Sequence, residues 1–148
     1  MITRLAFVKC IKLLNACYCK KTDQEQLESW YNYFSDISYT TLYKAVKEII
    51  VESKCYPTAP QLKEKCRMVN KNYLLDIITK MKDDGYFKKG SYGELSDEQA
   101  YRNYDKALMW LEKGNLPEFL KNDMRSYINQ NNQIEQRDRK LLNNAKDL

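Results

Sequence analysis

The chain has 148 residues, enough to bury a core in one domain or in one domain with an additional arm. Its four glycines and three prolines are few, while Lys, Glu, Leu, Tyr and Asn are abundant, so the composition favours helices over a loop-rich sandwich. The net charge of +5 is distributed along the sequence, and it permits contact with nucleic acid without requiring it.

The cysteines and the hydropathy indicate a protein of a reducing cytoplasm. Five cysteines form an odd set without the spacing of a disulfide framework, and we expect them to act as small core residues. Basic residues interrupt the N-terminal apolar run, so no signal peptide is predicted, and no window approaches the roughly 18 apolar residues of a membrane span. Cys17 and Cys19 have no second cysteine pair and no His as co-ligands, so we expect no metal site.

Helical periodicity runs along most of the chain and predicts an all-α fold. Four helix starts are predicted: capping boxes at Thr22–Glu25, Thr58–Gln61 and Ser96–Gln99, and a capping serine at Ser38. A fourth helix follows Thr58, a fifth occupies about 72–84 with Gly85 as its stop, and the last helix opens at Pro117. The predicted core residues of the first three helices are Phe7, Cys10, Ile11, Leu14, Cys17, Tyr18, Leu27, Trp30, Tyr31, Phe34, Ile37, Leu42, Ala45, Val46, Ile49 and Ile50.

These patterns predict a compact small helical bundle followed by further helices and a flexible polar C-terminal arm. The bundle spans 1–84, and the glycine-rich stretch 85–95 forms a loop or a hairpin. A further helical segment spans 96–128. The stretch 129–148 is almost entirely amide and charge, so we expect it to be mobile when alone.

The chemistry of known catalytic sites is missing from this sequence. It has no His for general base work, no Ser or Cys nucleophile with a recognisable base, and no glycine-rich loop followed by Lys-Ser/Thr. We therefore expect a binding protein that is not an enzyme and that needs no cofactor.

Two interpretations of the middle of the chain remain open. In one, 58–66, 67–71 and 72–84 are the first helix, turn and recognition helix of a helix-turn-helix, with a basic wing behind them. The recognition helix would lack Arg for reading guanine and would carry acidic residues, which opposes DNA binding. In the other, this region is a corner of a helical bundle, and this interpretation indicates no binding partner. The residues predicted to contact DNA in the first interpretation are Lys71, Lys80, Lys82, Lys88 and Lys89.

The order of residues in the first half of the chain adds a more specific hypothesis. The matching positions are Trp30, Phe34, Asp36, Ala45, Val46, Ile49, Ile50, Lys54, Pro57, Thr58 and Leu62. This order resembles that of small phage-encoded loaders and inhibitors of replicative helicases, from viruses that infect Gram-positive bacteria. The later segments MKDDGYFKKGSYGEL and YDKALMWLEKGNLPEFLKNDM extend the resemblance, which covers roughly residues 1–125.

The resemblance implies a protein that binds a hexameric replicative helicase in the bacterial cytoplasm and controls its loading at an origin. It implies no ATPase of its own and an origin-binding initiator as a further partner. Direct contact with nucleic acid is permitted but not favoured. In that family a C-terminal arm contacts the helicase, and we expect a short helix with sparse apolar anchors to dock in a groove of the partner. The candidate helicase-binding residues are Lys121, Arg125, Ile134, Arg137, Arg139, Lys140, Leu141 and Leu142.

Overall fold

The computed structural model describes the backbone of residues 1–146 and the side chains of residues 1–141. The helices are α1 (Arg4–Tyr18), α2 (Gln24–Phe34), α3 (Tyr39–Glu52), α4 (Ala59–Asp83), α5 (Asp97–Lys113) and α6 (Glu118–Lys146). Between α4 and α5 lie a short 3₁₀ turn (Tyr86–Lys88) and a two-stranded antiparallel hairpin of β1 (Lys89–Gly90) and β2 (Gly93–Glu94). The predicted all-α fold is confirmed. None of the helices within the described residues is both long and apolar enough to cross a membrane.

The chain divides into two compact units, Met1–Asn72 and Tyr73–Leu148. In the first unit α1, α2, α3 and the start of α4 enclose one core, in which Phe7, Phe34 and Leu42 are fully buried. The predicted stripes of α1 to α3 face this core, with Trp30 and Tyr31 partly buried at its margin. Tyr31 meets Phe7 edge to face, with ring centroids 5.6 Å apart.

The second unit has its own core, formed by the end of α4, the 3₁₀ turn, α5 and α6. Ile78, Met81, Ala107 and Leu120 are the most deeply buried residues of this core. The sequence pattern predicts the first boundary after residue 84, whereas the chain divides after Asn72. The reason for the difference is that the last apolar residues of α4 pack with α5 and α6 within the second unit.

Helix α4 corrects the prediction of two helices between Thr58 and Asp84. Residues 67–71, the predicted turn, lie inside one continuous helix of 25 residues. No Gly or Pro follows Pro60 in this helix, and Asn70 and Asn72 are only mildly unfavourable inside a helix. The proline at the second position of α4 is tolerated because the first helical N–H groups have no partner in the helix.

The helix starts follow the predicted capping residues, with one exception. Thr58 and Gln61 exchange both hydrogen bonds of a capping box at the start of α4. The cap of α2 is Asp23 rather than Thr22: the Asp23 carboxylate accepts from the Gln26 N–H at 2.7 Å. The Thr22 hydroxyl instead accepts from the Asn15 amide at 3.1 Å, which ties the loop to α1.

Removal of the cap of α5 is expected to lower the stability of the second unit. The Ser96 hydroxyl accepts from the Gln99 N–H, and the Gln99 side chain accepts from the Ser96 N–H. We expect Ser96→Ala to lower the free energy of unfolding by about 1 kcal/mol, measured by urea denaturation. Ser91→Ala, at a serine outside any helix, is the matched control and should have no such effect. Equal stability of Ser96→Ala and the natural chain would contradict the capping role.

The prediction that all five cysteines act as core residues is wrong for three of them: Cys10 and Cys66 are buried, whereas Cys17, Cys19 and Cys55 are exposed, so Cys17 does not belong to the buried stripe of α1. Burial raises the pKa of Cys10 to about 11 and that of Cys66 to about 12, which suppresses the reactive thiolate. We expect iodoacetamide at mildly alkaline pH to modify Cys17, Cys19 and Cys55 while the buried pair reacts only after denaturation. Mass spectrometry of the alkylated native protein checks this, and rapid labelling of Cys66 would contradict the packing of α4.

Candidate functional surface

The first half of α6 is anchored within the second unit. Leu120 and Met124 are buried in its core. The Tyr127 hydroxyl donates to the Asp84 carboxylate at 2.6 Å, and the Tyr86 hydroxyl donates to the Asp123 carboxylate. The hydrogen bond to Asp84 raises the pKa of Tyr127. Burial, followed by the contact with Asp123, raises the pKa of Tyr86 in the same direction.

The second half of α6 has no such anchors among its described side chains. Every side chain from residue 132 to residue 141 is exposed, although the backbone stays helical to Lys146. We call residues 132–141 the exposed end of α6. The sequence predicts a separate flexible arm from Asn129, but the helix does not end there. Propagation of an anchored helix costs little, and the Gln, Glu, Arg, Lys and Leu residues of this stretch are good helix formers.

The exposed end of α6 carries two apolar residues on one face. Ile134 is 54% exposed and Leu141 is 67% exposed. They are separated by two helical turns, so they share a face, and they continue the side of the helix that bears Tyr127. Leu142 is predicted to join them, but its side chain lies outside the described residues. The surface is therefore a short apolar stripe on a helix that offers it no partner within the described chain.

The predicted basic contacts do not form one cluster. Lys121 and Arg125 lie on the anchored half of α6, and Arg125 approaches Glu118 at 3.8 Å and donates to Asn122 at 3.1 Å. Arg139 shares their face but lies about five turns further on, ~27 Å from Lys121 along the axis. Arg137, Arg139 and Lys140 are exposed; Arg137 and Lys140 lie on one flank of the stripe, whereas Arg139 lies on the opposite side of the helix. That end thus combines apolar and cationic groups, while Lys121 and Arg125 are distant from it.

The structure removes the helix-turn-helix interpretation. A DNA reader of that class needs a turn between its two helices, and the predicted turn at 67–71 is helical. Lys88 pairs with Asp97, and Lys82 lies over the ring of Tyr104 at 4.5 Å. Lys71 belongs to the first unit, whereas Lys80, Lys82, Lys88 and Lys89 belong to the second. The single helix α4 is therefore not divided into the two helices that this interpretation requires.

No constellation for metal chemistry is visible in the part of the chain that the structure describes. Within it, no group of three or more His, Cys, Asp or Glu side chains is placed to hold a metal ion.

The tyrosine–carboxylate pairs that anchor α6 were not anticipated from the sequence. Asp84 and Tyr127 are 43 residues apart, and nothing in their local pattern marks them as partners.

The match to a known protein family covers residues of the first unit only. Residues 3–63 match the family model of the N-terminal domain of the helicase loader of phage SPP1. The part of the chain that holds α1, α2, α3 and the first residues of α4 is therefore similar to the N-terminal domain of a phage helicase-loader family. Neither the search of curated proteins nor the search of solved structures gave a match.

The family match confirms the resemblance over the segment that carries the Trp30 helix, α3 and the Pro57–Thr58 corner. The resemblance was expected over residues 1–125, whereas the match ends at residue 63. The family match therefore does not extend to the second unit, which contains the exposed end of α6.

Proposed function

We propose that this chain is a phage DNA-replication accessory protein that binds a hexameric replicative helicase and controls its loading at the origin. The observation that carries this proposal is the match of residues 3–63 to the N-terminal domain of a phage helicase loader. The protein acts by binding in the cytoplasm of the bacterial host, without an ATPase of its own. An origin-binding initiator is a further partner, and the helicase is delivered to it.

The exposed end of α6 is the surface that contacts the helicase in this proposal. Ile134 and Leu141 present an apolar stripe that loses water when it enters a groove, and burial of such a side chain contributes about 1.5–3 kcal/mol. Arg137, one turn beyond Ile134, and Lys140, further round the same flank of the helix, add positive charge that directs the helix toward an acidic rim. An amphipathic helix laid into an apolar groove is a recurrent mode of recognition.

The helical state of α6 changes the expected mechanism. The sequence predicts a mobile arm that folds only on binding, and such folding reduces the net affinity. A helix that already extends from the anchored half to Lys146 needs less ordering when it docks. We therefore expect association of a largely preformed helix, with a smaller heat-capacity change than coupled folding of the whole arm would give.

Helicase activity tests this function directly. The cognate helicase should change its rate of unwinding a forked DNA when the protein is added, and the change should saturate at a fixed ratio of chain to hexamer. The protein alone should release no phosphate from ATP. The proposal would be contradicted if a large excess of the protein left the unwinding rate of an active helicase unchanged.

A further inference from the structure

The outward side of α3, in the first unit, is divided lengthwise into strips of different chemistry. Tyr39 and Tyr43 lie along one edge, 42% and 38% exposed, with ring centroids 5.7 Å apart and planes at 23°. Lys44 and Lys47 follow beside them and are exposed, and the Lys47 ammonium lies 5.1 Å from the centre of the Tyr43 ring. We call these four residues the tyrosine–lysine strip.

The carboxylates of α3 lie on the other edge of the helix and are engaged by a lysine. The Lys65 ammonium contacts Glu52 at 2.7 Å and Glu48 at 3.4 Å. These contacts raise the pKa of Lys65, with the hydrogen bond to Glu52 as the largest cause. Glu48 lies one turn beyond Lys44, but both acidic residues of α3 are paired with Lys65, so the tyrosine–lysine strip keeps its cationic and aromatic character.

The basic character continues past the C-terminal end of α3. The Tyr18 hydroxyl donates to the carbonyl oxygens of Ser53 at 2.7 Å and Ile49 at 3.2 Å, which holds the end of α1 beside the end of α3. Lys20 follows Tyr18 and lies over the Tyr56 ring at 4.1 Å, and Lys54 is exposed next to Ser53. Lys20 and Lys54 thus place further cations beside the C-terminal end of α3.

We propose that the tyrosine–lysine strip binds single-stranded DNA. Bases stack on the rings of Tyr39 and Tyr43, and phosphates contact Lys44 and Lys47. Stacking platforms beside lysines are suited to single strands, because an intact duplex does not expose the faces of its bases. The strip lies on α3, at a distance in sequence from the exposed end of α6, and this inference does not depend on the helicase-binding proposal.

Binding of a fluorescent oligo(dT) to the full chain, followed by anisotropy at low salt, tests this inference. We expect Tyr39→Ala with Tyr43→Ala to raise the Kd by at least about tenfold, and Tyr39→Phe with Tyr43→Phe to keep the natural Kd. Lys44→Gln with Lys47→Gln should lower the slope of log K against log salt by about 1.4, the value for two lost phosphate contacts on a single strand.

Two exposed tyrosines of the second unit supply the matched control. Tyr92→Ala with Tyr101→Ala removes as many aromatic rings and should leave the Kd unchanged. No anisotropy change with the natural chain at low salt overturns the inference. It is also overturned if a duplex of equal length binds as tightly, or if the alanine pair on α3 reduces helicase binding and leaves DNA binding intact. Circular dichroism confirms that each variant is folded.

Discussion

Replacement of Ile134 and Leu141 by serine is expected to weaken binding of the cognate helicase roughly 100-fold. Both side chains are more than half exposed on the helix, so their removal opens no cavity in the folded chain. If each buries its apolar surface in the partner, its loss costs at least about 1.5 kcal/mol, and together the two changes cost about 3 kcal/mol. Isothermal titration calorimetry with the natural chain and the double variant measures the difference.

The same helix offers the control for that measurement. Asn132 and Gln136 flank Ile134 at two positions on either side and therefore point away from the apolar stripe. Asn132→Ser with Gln136→Ser changes as many residues on the same exposed end and should alter the Kd less than about twofold. If the two double variants bind the helicase with equal Kd, the apolar stripe is not the contact surface.

Phe34→Ala is expected to destabilise the first unit by about 3–5 kcal/mol, which is a large part of the stability of a small domain. Phe34 is fully buried, and its ring contacts Phe7, Trp30 and Tyr33 with centroids 6.3, 5.9 and 5.3 Å away. A void at this position removes one ring contact from each of three aromatic side chains, and the stacked pair with Phe7 is lost.

Urea denaturation followed by tryptophan fluorescence measures this effect in a Trp110→Phe background. There Trp30 is the one tryptophan of the chain and reports on the first unit alone. Val51→Ala is the control, because Val51 is 86% exposed on α3 and should cost less than about 0.5 kcal/mol. A loss below about 1 kcal/mol for Phe34→Ala would mean that the first unit does not pack around this ring.

Local patterns predicted the first unit well because its helices are short and have clear capping residues at their starts. The stripe of α1 needed no tertiary information, since Phe7, Cys10, Ile11 and Leu14 follow the helical period and are buried. The caps at Ser38 and Thr58 were readable from single side chains. The predicted cap at Thr22 is wrong: Asp23 caps α2, and the Thr22 hydroxyl accepts from Asn15, a contact that the local pattern does not contain.

The errors lie where tertiary packing or helix propagation overrides composition. A turn is predicted near Asn70 and Asn72, but the helix continues because apolar residues on both sides of them are buried in the two cores. The composition of the stretch after Asn129 is typical of disorder, yet the anchors of Tyr127 and Met124 hold the helix from which it propagates. Those anchors join distant parts of the sequence, so no local pattern contains them.

Size-exclusion chromatography with light scattering, on the full chain mixed with its cognate helicase at micromolar concentrations, tests the helicase-loader proposal most directly. We predict one peak whose mass equals that of the helicase hexamer plus a fixed number of chains. A chain that ends at residue 131 should elute separately from the same helicase. Two independent peaks with the full chain, at the masses of the free components, would contradict the proposal.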